Sequence, residues 1–255
     1  MHKLILLSGP SCVGKSPLLQ AFHRIFPDLA HSLEKVVLYN DRPPRPGERD
    51  GIDYYFRFRA EIETLGKSKD FLLIQVRNDL QALELASIRR ILDLGKHAFY
   101  EGATYVVSQI IERKITERIP IQTIFLSPLN REEILFLREP ERHVDLPVVV
   151  TDIMRKKLLR RKHKQMSWIS VPDLEDIEIR CRSAYVEMRQ AFQYQYVIPN
   201  HDGEDSEHWN TFPWPIGDAL QSVLDLASIL NGYPRSRIER WEIDLLPEEK
   251  NFAMR

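Results

Sequence analysis

The residues best suited to chemistry stand near the start of the chain, where Gly9 to Ser16 read G-P-S-C-V-G-K-S. They match the phosphate-binding loop pattern G-x-x-x-x-G-K-[ST] at every constrained position. In such a loop, backbone N–H groups and the N-terminus of the following helix point at a phosphate chain. The pattern predicts binding of a nucleoside triphosphate, with Lys15 on the β- and γ-phosphates and the Ser16 hydroxyl on Mg²⁺. The alternative, an ordinary glycine turn, leaves the Lys and Ser unexplained.

The elements around this loop are those that it needs. Leu4 to Leu7 form an apolar run typical of a buried parallel strand, and Leu18, Phe22 and Ile25 recur at helical spacing. Further strands are expected at 36–39, 54–56, 71–76, 97–101, 122–126 and 196–198, and helices at 60–65, 82–93, 130–164, 177–192 and 216–230. We expect the helical stretch at 130–164 to be broken at Pro140 and Pro147. This alternation predicts an α/β fold, a three-layer sandwich with a central mostly parallel sheet and helices on both faces. Ligands then bind beyond the carboxyl ends of the strands.

The composition excludes several classes of protein. The formal net charge of -1 provides no global field that would attract nucleic acid or an anionic membrane. Two cysteines form neither a disulfide framework nor a zinc site. We find no apolar stretch of membrane-spanning length and no secretory signal, so the expectation is a cytoplasmic protein. The sequence indicates no particular oligomeric state.

The longest basic run lies between Arg155 and Lys164, at helical spacing with Leu158 and Leu159. Two interpretations stand beside each other. The run is either a solvated helix face or a face that meets phosphate.

A second constellation follows the phosphate loop. Arg42 and Arg45 stand three residues apart on a proline-rich stretch, where both guanidinium groups can fork onto one phosphate at little ordering cost. The Tyr54 hydroxyl can donate to the same anion. The alternative is a surface turn that carries exposed charge.

The segment from Asp41 to Phe56, D-R-P-P-R-P-G-E-R-D-G-I-D-Y-Y-F, closely resembles the acceptor-phosphate loop of guanylate kinases, T-R-x-P-R-x-G-E-x-x-G-x-D-Y-x-F. Residues Ile177 to Met188 resemble the helix that leaves the lid of that family. Tyr196 to Asp202 are similar to its last strand and adenine loop.

The resemblance implies a domain organisation. We expect a kinase domain over residues 1–233, with an acceptor-binding region at 41–82 and an enlarged helical lid at 130–176. A tail at 234–255 is additional to the family pattern.

The resemblance also implies a role for each matching residue. ATP would be bound by Ser11, Cys12, Val13, Gly14, Lys15, Ser16, Asn200 and Asp202, the last two near the adenine. The phosphorylated acceptor would be bound by Arg42, Arg45 and Tyr54, while Glu101 stands where the family has an aspartate near acceptor and metal. Together with Lys15, the lid arginines Arg138, Arg142 and Arg180 would neutralise the transferring phosphoryl group.

The sequence departs from the family where guanine is read. The family has a glutamate in F-[IL]-E-W, whereas Phe71 to Ile74 read F-L-L-I. Two guanine donors would lose their acceptor, and a buried unpaired donor costs about 1–3 kcal/mol. Leu80 to Leu83 also replace the family's Y-G-x-[ST]. Gln75, Asn78 and Glu101 are the polar residues that could line a pocket of different shape.

These observations predict an ATP- and Mg²⁺-dependent phosphotransferase whose acceptor is a small phosphorylated molecule, a nucleotide or a sugar phosphate. A sugar-phosphate kinase is one alternative, since Glu101-Gly102-Ala103 is similar to a strand end in ribose-bisphosphate phosphokinases. Another is a non-catalytic guanylate-kinase-like module that binds phosphoproteins. In such modules the phosphate loop is eroded, whereas Lys15 and Ser16 are intact here.

Overall fold

The computed structural model describes residues 2–45, 47–113, 119–166 and 168–248. The strands are β1 (Leu4–Ser8), β2 (Leu33–Lys35), β3 (Tyr39–Asn40), β4 (Tyr55–Phe56), β5 (Phe71–Val76), β6 (Asp79–Glu84), β7 (His97–Gly102), β8 (Ile121–Ser127) and β9 (Tyr196–Pro199). The helices are α1 (Lys15–Ile25), α2 (Pro27–His31), α3 (Arg59–Leu65), α4 (Leu85–Asp93), α5 (Thr104–Glu112), α6 (Arg131–Leu137), α7 (Leu146–Gln165), α8 (Val171–Arg189) and α9 (Gly217–Leu230). Across these ranges, every helix is too short or too polar to span a bilayer.

The strands form two sheets. The larger has the order β2-β7-β1-β8-β9, and β2 runs parallel to β7, as β8 does to β9. The smaller has the order β4-β3-β6-β5, in which β6 is antiparallel to both neighbours. All five residues of β1 are buried, as expected for a strand covered on both faces. The predicted α/β fold, with a mostly parallel central sheet flanked by helices, is confirmed.

Contacts divide the chain into two compact units. The first combines the segment before Ser8 with His31–Gln122, and it contains the smaller sheet and the predicted acceptor loop. The second combines Ser8–Ala30 with the chain from Thr123 onward, and it contains the phosphate loop and the helical hairpin of α7 and α8.

Two elements of the first unit differ from the sequence prediction. The strand expected at 36–39 is replaced by two shorter strands with a connection at 36–38. The first, β2, pairs with β7 in the larger sheet, and the second, β3, pairs with β4 and β6 in the smaller sheet. The helix expected to begin at Ala82 begins at Leu85. Residues 79–84 form a strand because they pair with β5 in a hairpin, and a short apolar run does not by itself distinguish strand from helix.

The helices of the predicted lid also begin and end at residues other than those expected. The chain breaks near Pro140, as expected, but Pro147 lies in the first turn of α7 and starts that helix. A proline is tolerated there because the first N–H groups of a helix have no intrahelical acceptor. The helix expected from Ile177 begins at Val171, where Ser170 and Asp173 form a capping box.

The part of the predicted tail that the structure describes, residues 234–248, packs within the second unit. Glu239 forms a two-way backbone bridge with Val197 of β9, with both N···O distances 2.8 Å. The Trp241 side chain is 4% exposed and its ring lies against that of Phe125. Residues 249–255 of the predicted tail lie outside the described residues.

The same segment supplies partners to a buried carboxylate on α9. The side chain of Asp225 is fully buried, and its oxygens lie 2.8 Å from Arg235 and 2.7 Å from Arg237. Burial raises the pKa of Asp225, and the two arginines act against that rise. An unpaired carboxylate would be costly at this depth, so the arginines are part of the fold.

The loop after β9 is held by a histidine between two acids. The two ring nitrogens of His201 contact Asp218 of α9 and Glu133 of α6. Arg237 bonds the other oxygen of Asp218 and the carbonyl of Pro199, both within 2.8 Å. The loop is thereby joined to two helices and to the C-terminal segment.

We expect Trp241→Ala to lower the free energy of unfolding by about 3–5 kcal/mol, because a large buried ring leaves a cavity. The measurement is urea unfolding followed by circular dichroism. Ile243, 73% exposed, provides the matched control, and Ile243→Ala should stay within about 0.5 kcal/mol of the parent. Equal effects of the two changes would mean that the segment is not packed as described.

We expect His201 to make stability depend on pH. Burial alone would lower its pKa, but the hydrogen bonds and charges of Glu133 and Asp218 raise the pKa above its usual 6.5. The stabilisation is therefore full below about pH 6.5 and is lost as the pH rises through the higher folded value. The melting temperatures of the parent and of His201→Gln, scanned from about pH 5 to 9, should differ most at the acid end. A constant difference would contradict this assignment.

Candidate active site

The backbone between β1 and α1 has the shape that the phosphate-loop pattern requires. Gly9 and Gly14 have φ angles of +149° and +105°. A β-carbon on Gly9 would lie 2.3 Å from the carbonyl oxygen of Leu126. One on Gly14 would lie 2.6 Å from Asn200 Nδ2 and from the carbonyl oxygen of Asp202. Both positions therefore require glycine, for conformation and for space.

Two positive groups lie at this loop, the Lys15 ammonium and the N-terminus of α1. Lys15 is 7% exposed, and its Nζ donates to the carbonyls of Gly9 and Pro10 at 2.8 and 2.9 Å. No acidic residue lies in the first turn of α1, so the positive end of that helix dipole is not neutralised there. An ammonium group and a helix N-terminus at one loop suit an anion such as a phosphate chain.

The same loop fits the predicted metal. The exposed Ser16 lies in the first turn of α1, beside Lys15. Among the described residues there is no group of three or more His, Cys, Asp or Glu side chains arranged to hold a metal ion. Mg²⁺ does not need such a cage, since it is commonly held by one or two protein oxygens and the phosphates of the substrate.

Cys12 and its neighbours support the loop from within. Cys12 and Val13 are buried, and Cys12 has a φ of +68°. Burial, aided by the charge of Glu204, raises the pKa of the Cys12 thiol to about 12. The thiolate is the reactive form of cysteine, so this side chain is inert despite its position. Ser11 is partly exposed at the outer side of the loop.

Asn200 and Asp202 brace the phosphate loop. Asn200 is fully buried, and its Nδ2 donates to the carbonyl oxygens of Val13 at 2.8 Å and Asp202 at 2.6 Å. The carboxylate of Asp202 accepts from the backbone N–H of Ala219 and from the Ser206 hydroxyl, at 2.9 and 2.8 Å. Their predicted position beside the adenine stays a prediction.

Each of the three predicted lid arginines has its own partners. Arg138 donates to the carbonyls of Asp244 and Leu245. Arg142 bonds Glu139 and stacks 3.3 Å above the ring centre of Phe136. Arg180 bonds Asp176 one turn earlier on α8. Their catalytic role stays a prediction.

The predicted acceptor loop, in the first unit, is organised by an acid that the sequence reasoning did not single out. Glu48 accepts from both terminal nitrogens of Arg42 and from the backbone N–H of Arg45, all at 2.7 Å. Burial alone would lower the pKa of Arg42 and raise that of Glu48, but the pairing outweighs it and shifts each the other way. Glu48 thus joins both predicted phosphate ligands. Pro46 of this loop lies outside the described residues.

Aromatic rings lie beneath the Arg42 guanidinium. Its central carbon is 5.2 Å from the ring centre of Tyr54 and 5.6 Å from that of Phe56, within the range of cation–π contacts. Burial, with a smaller contribution from Glu101, raises the pKa of the Tyr54 hydroxyl. The hydroxyl therefore stays protonated and able to donate. Arg42 and Glu101 both act electrostatically on Tyr54, and their role in binding an acceptor stays a prediction.

The strands behind the loop are largely apolar where the family reads guanine. Leu73 packs with Phe71 against a buried cluster of Ile62, Leu80 and Ala82. Gln75, predicted to face the acceptor, is exposed and bonds the carbonyls of Arg77 and Asp79 and the side chain of Arg59.

Two buried amides on the opposite face of these strands were not predicted. Asn40 and Gln81 face each other across β3 and β6. Asn40 Nδ2 and Gln81 Oε1 have no hydrogen-bond partner within the described ranges. Phe56, under Arg42, pairs with Asn40 in the same row.

Comparison with known proteins agrees with this geometry. The guanylate kinase family model matches residues 1–138. A guanylate kinase of Streptococcus agalactiae is 36% identical over 152 residues, which cover 58% of this chain and 67% of the relative. A guanylate kinase of Alkalilimnicola ehrlichii is 32% identical over 162 residues, which cover 63% and 75%. One from Rickettsia bellii extends further, with 24% identity over 204 residues, 80% of this chain and 88% of the relative.

The fold has a counterpart among solved structures. The crystal structure of a guanylate kinase from Anaplasma phagocytophilum superimposes with a TM-score of 0.55 at 18% identity, covering 91% of this chain and 85% of that one. At this identity the likeness concerns the fold alone. The family model, however, spans more than half of the chain, and the resemblance seen in the motifs is confirmed. The chain belongs to the guanylate kinase family.

Proposed function

We propose that this chain transfers the γ-phosphoryl group of ATP, bound with Mg²⁺, to a small phosphorylated acceptor other than GMP. Its family membership makes it a nucleoside monophosphate kinase-like phosphotransferase. The observation that carries the proposal is the complete phosphate loop. It brings Lys15 and the N-terminus of α1 together, and its two glycines stand where a β-carbon would clash.

On the donor side, the chain binds and orients. Lys15 would exchange its two carbonyl partners for phosphate oxygens, and the loop N–H groups would hold the rest of the phosphate chain. Ser16 would hold Mg²⁺, which when bound neutralises charge on the β- and γ-phosphates. Phosphoryl transfer needs alignment and charge stabilisation rather than a covalent intermediate, so these groups suffice on this side.

On the acceptor side, the region at 41–82 would hold the phosphate of the acceptor. Glu48 keeps Arg42 and the backbone of Arg45 in place before binding, which reduces the ordering cost. The protonated Tyr54 hydroxyl would donate to the same phosphate. Glu101, which acts electrostatically on Tyr54, would face the reacting end of the acceptor.

The altered acceptor follows from the residues at the base-reading positions. Leu73 offers no acceptor to the N1–H and amine of guanine, and it contacts an apolar cluster. Gln75 is occupied by its own hairpin. A sugar phosphate is therefore the second candidate acceptor, beside a nucleotide with another base. Among the residues that the structure describes, the donor of Asn40 and the acceptor of Gln81 have no partner, and this supports an acceptor with hydroxyl groups, which donate and accept.

Among the three lid arginines, Arg180 is best suited to approach the transferred group. Its guanidinium bonds an exposed acid on the same helix, Asp176, which phosphate oxygens can replace. Arg138 would first have to leave the carbonyls of the C-terminal segment. Asn200 and Asp202 would act near the adenine by holding their loop in place.

We expect Lys15→Ala to lower turnover by about 10²–10³-fold or more, because the transition state loses a charged donor. The measurement is transfer of radiolabelled phosphate from ATP to a panel of GMP, other nucleoside monophosphates and sugar phosphates, with circular dichroism as the control for folding. Unchanged turnover in the variant would exclude the kinase assignment. If the parent neither binds ATP nor phosphorylates any acceptor, the phosphoprotein-binding alternative is favoured, and if GMP is the best acceptor, the altered specificity is wrong.

We expect Arg42→Ala to raise the KM for the acceptor at least tenfold and to leave the KM for ATP nearly unchanged, because a charged hydrogen bond to the acceptor phosphate is lost. Arg49 lies on the same loop, and Arg49→Ala serves as the matched control that should change neither constant. Equal shifts in both constants for Arg42→Ala would show that the clamp is assigned to the wrong substrate.

A further inference from the structure

The basic run of α7 is only in part a solvated face, because Arg160 and Lys164 are exposed whereas Lys157 is buried. Lys157, Arg160, Arg161 and Lys164 recur at the spacing of one helix face, and this face meets the loop of residues 201–207. Lys157 Nζ donates to the carbonyl of His201, and Arg161 pairs with Glu204. Arg160 lies 3.8 Å from Asp205, and Lys164 donates to the Asp205 carbonyl at 2.7 Å.

Lys157 is the innermost of these cations. The residue is 8% exposed, and burial lowers its pKa against the opposing effect of Asp205. A β-carbon on Gly203 would lie 3.0 Å from Lys157 Cδ on one side and 2.7 Å from the carbonyl oxygen of Cys12 on the other. A side chain at position 203 would therefore collide with the phosphate loop and press on the Lys157 stem.

The loop of 201–207 passes this contact on to the phosphate loop. The backbone N–H of Glu204 donates to the Cys12 carbonyl at 3.2 Å, and Asn200 donates to the Val13 carbonyl. A chain of direct contacts therefore runs from α7 through the loop after β9 to the loop that carries Lys15.

The cohesion between α7 and the loop is mainly ionic. A cavity of about 470 Å³ lies between them, lined by Arg160, His163 and Lys164 on one wall and by Asp205 and Glu207 on the other. Other cations of α7 face α8, where Arg155 pairs with Glu178 and Lys162 with Asp173. The helix is therefore tied on one side to α8 and on the other to the loop.

This helix belongs to a part of the chain outside the family match. The family model ends at residue 138, and α7 begins at Leu146. The contacts of α7 with the loop after β9 therefore do not follow from the match to the family model.

We propose that α7 acts as a basic latch on the loop of 201–207, and that Lys157 is a positioning residue for ATP. It sets the affinity for ATP by fixing this loop against the phosphate loop, without touching the nucleotide. The inference rests on the proposed function, because it takes ATP as the donor.

The test compares Lys157→Met with Lys156→Met in the full chain. Methionine keeps the length of the stem and removes the charge and the donor, and Lys156 is an exposed neighbour on the same helix. Two readouts are needed. Calorimetric titration with Mg-ATP gives the affinity without an acceptor, and hydrogen exchange followed by mass spectrometry reports the backbone of 201–207.

For Lys157→Met we expect about tenfold weaker ATP binding, the size of one charged hydrogen bond. We also expect faster exchange at Glu204 and an unchanged KM for the acceptor. Lys156→Met should match the parent in all three. Glu204→Gln removes the charged partner of Arg161. Like Lys157→Met, it should weaken ATP binding and speed up exchange in the loop of 201–207.

The outcomes separate this inference from the proposed function. Faster exchange with unchanged ATP affinity would mean that the contact is only structural, and the inference would be wrong. Unchanged exchange and affinity in Lys157→Met would also overturn it, while the kinase assignment stands. A parent that binds no ATP would overturn the proposed function, and the positioning role with it.

Discussion

The donor side of this protein depends on how closely the backbone at Gly14 approaches Asn200. The Asn200 amide donates to the Val13 carbonyl across 187 positions of sequence, and Gly14 leaves no space for a side chain between them. This contact fixes the direction of the Val13 carbonyl, two residues before α1 begins at Lys15. The phosphate loop is therefore shaped from outside as well as by its own glycines.

The predicted acceptor loop is shaped by contacts among its own residues rather than by a distant segment. Its main contacts are local, between Glu48 and the two arginines three and six positions before it. A loop ordered by its own residues keeps its geometry wherever the strands behind it change. Arg42 and Tyr54 can therefore keep the family pattern while Leu73, on β5 at the other edge of the smaller sheet, joins an apolar cluster.

The sequence predicted what local chemistry determines and missed what distant pairing determines. The strand, loop and helix around Lys15 follow from glycine spacing and apolar periodicity, and they were correct. Ala82 is expected in a helix because its apolar neighbours suit either element, and pairing with Leu73 and Tyr39 makes it a strand residue. The partners of Arg138 were equally hidden, since they are backbone carbonyls of a segment more than a hundred positions away. The role of that segment was not readable, because its anchors, Glu239, Trp241 and Leu245, follow no periodic pattern.

Asp225 makes the C-terminal segment necessary to the fold. A carboxylate sealed inside α9 is tolerable only because Arg235 and Arg237 reach back to it. A homologue that stopped after α9 would therefore need an uncharged residue at this position. A homologue that kept the acid without the arginines would bury an unpaired carboxylate. We therefore expect the acid and the two arginines to occur together in related sequences.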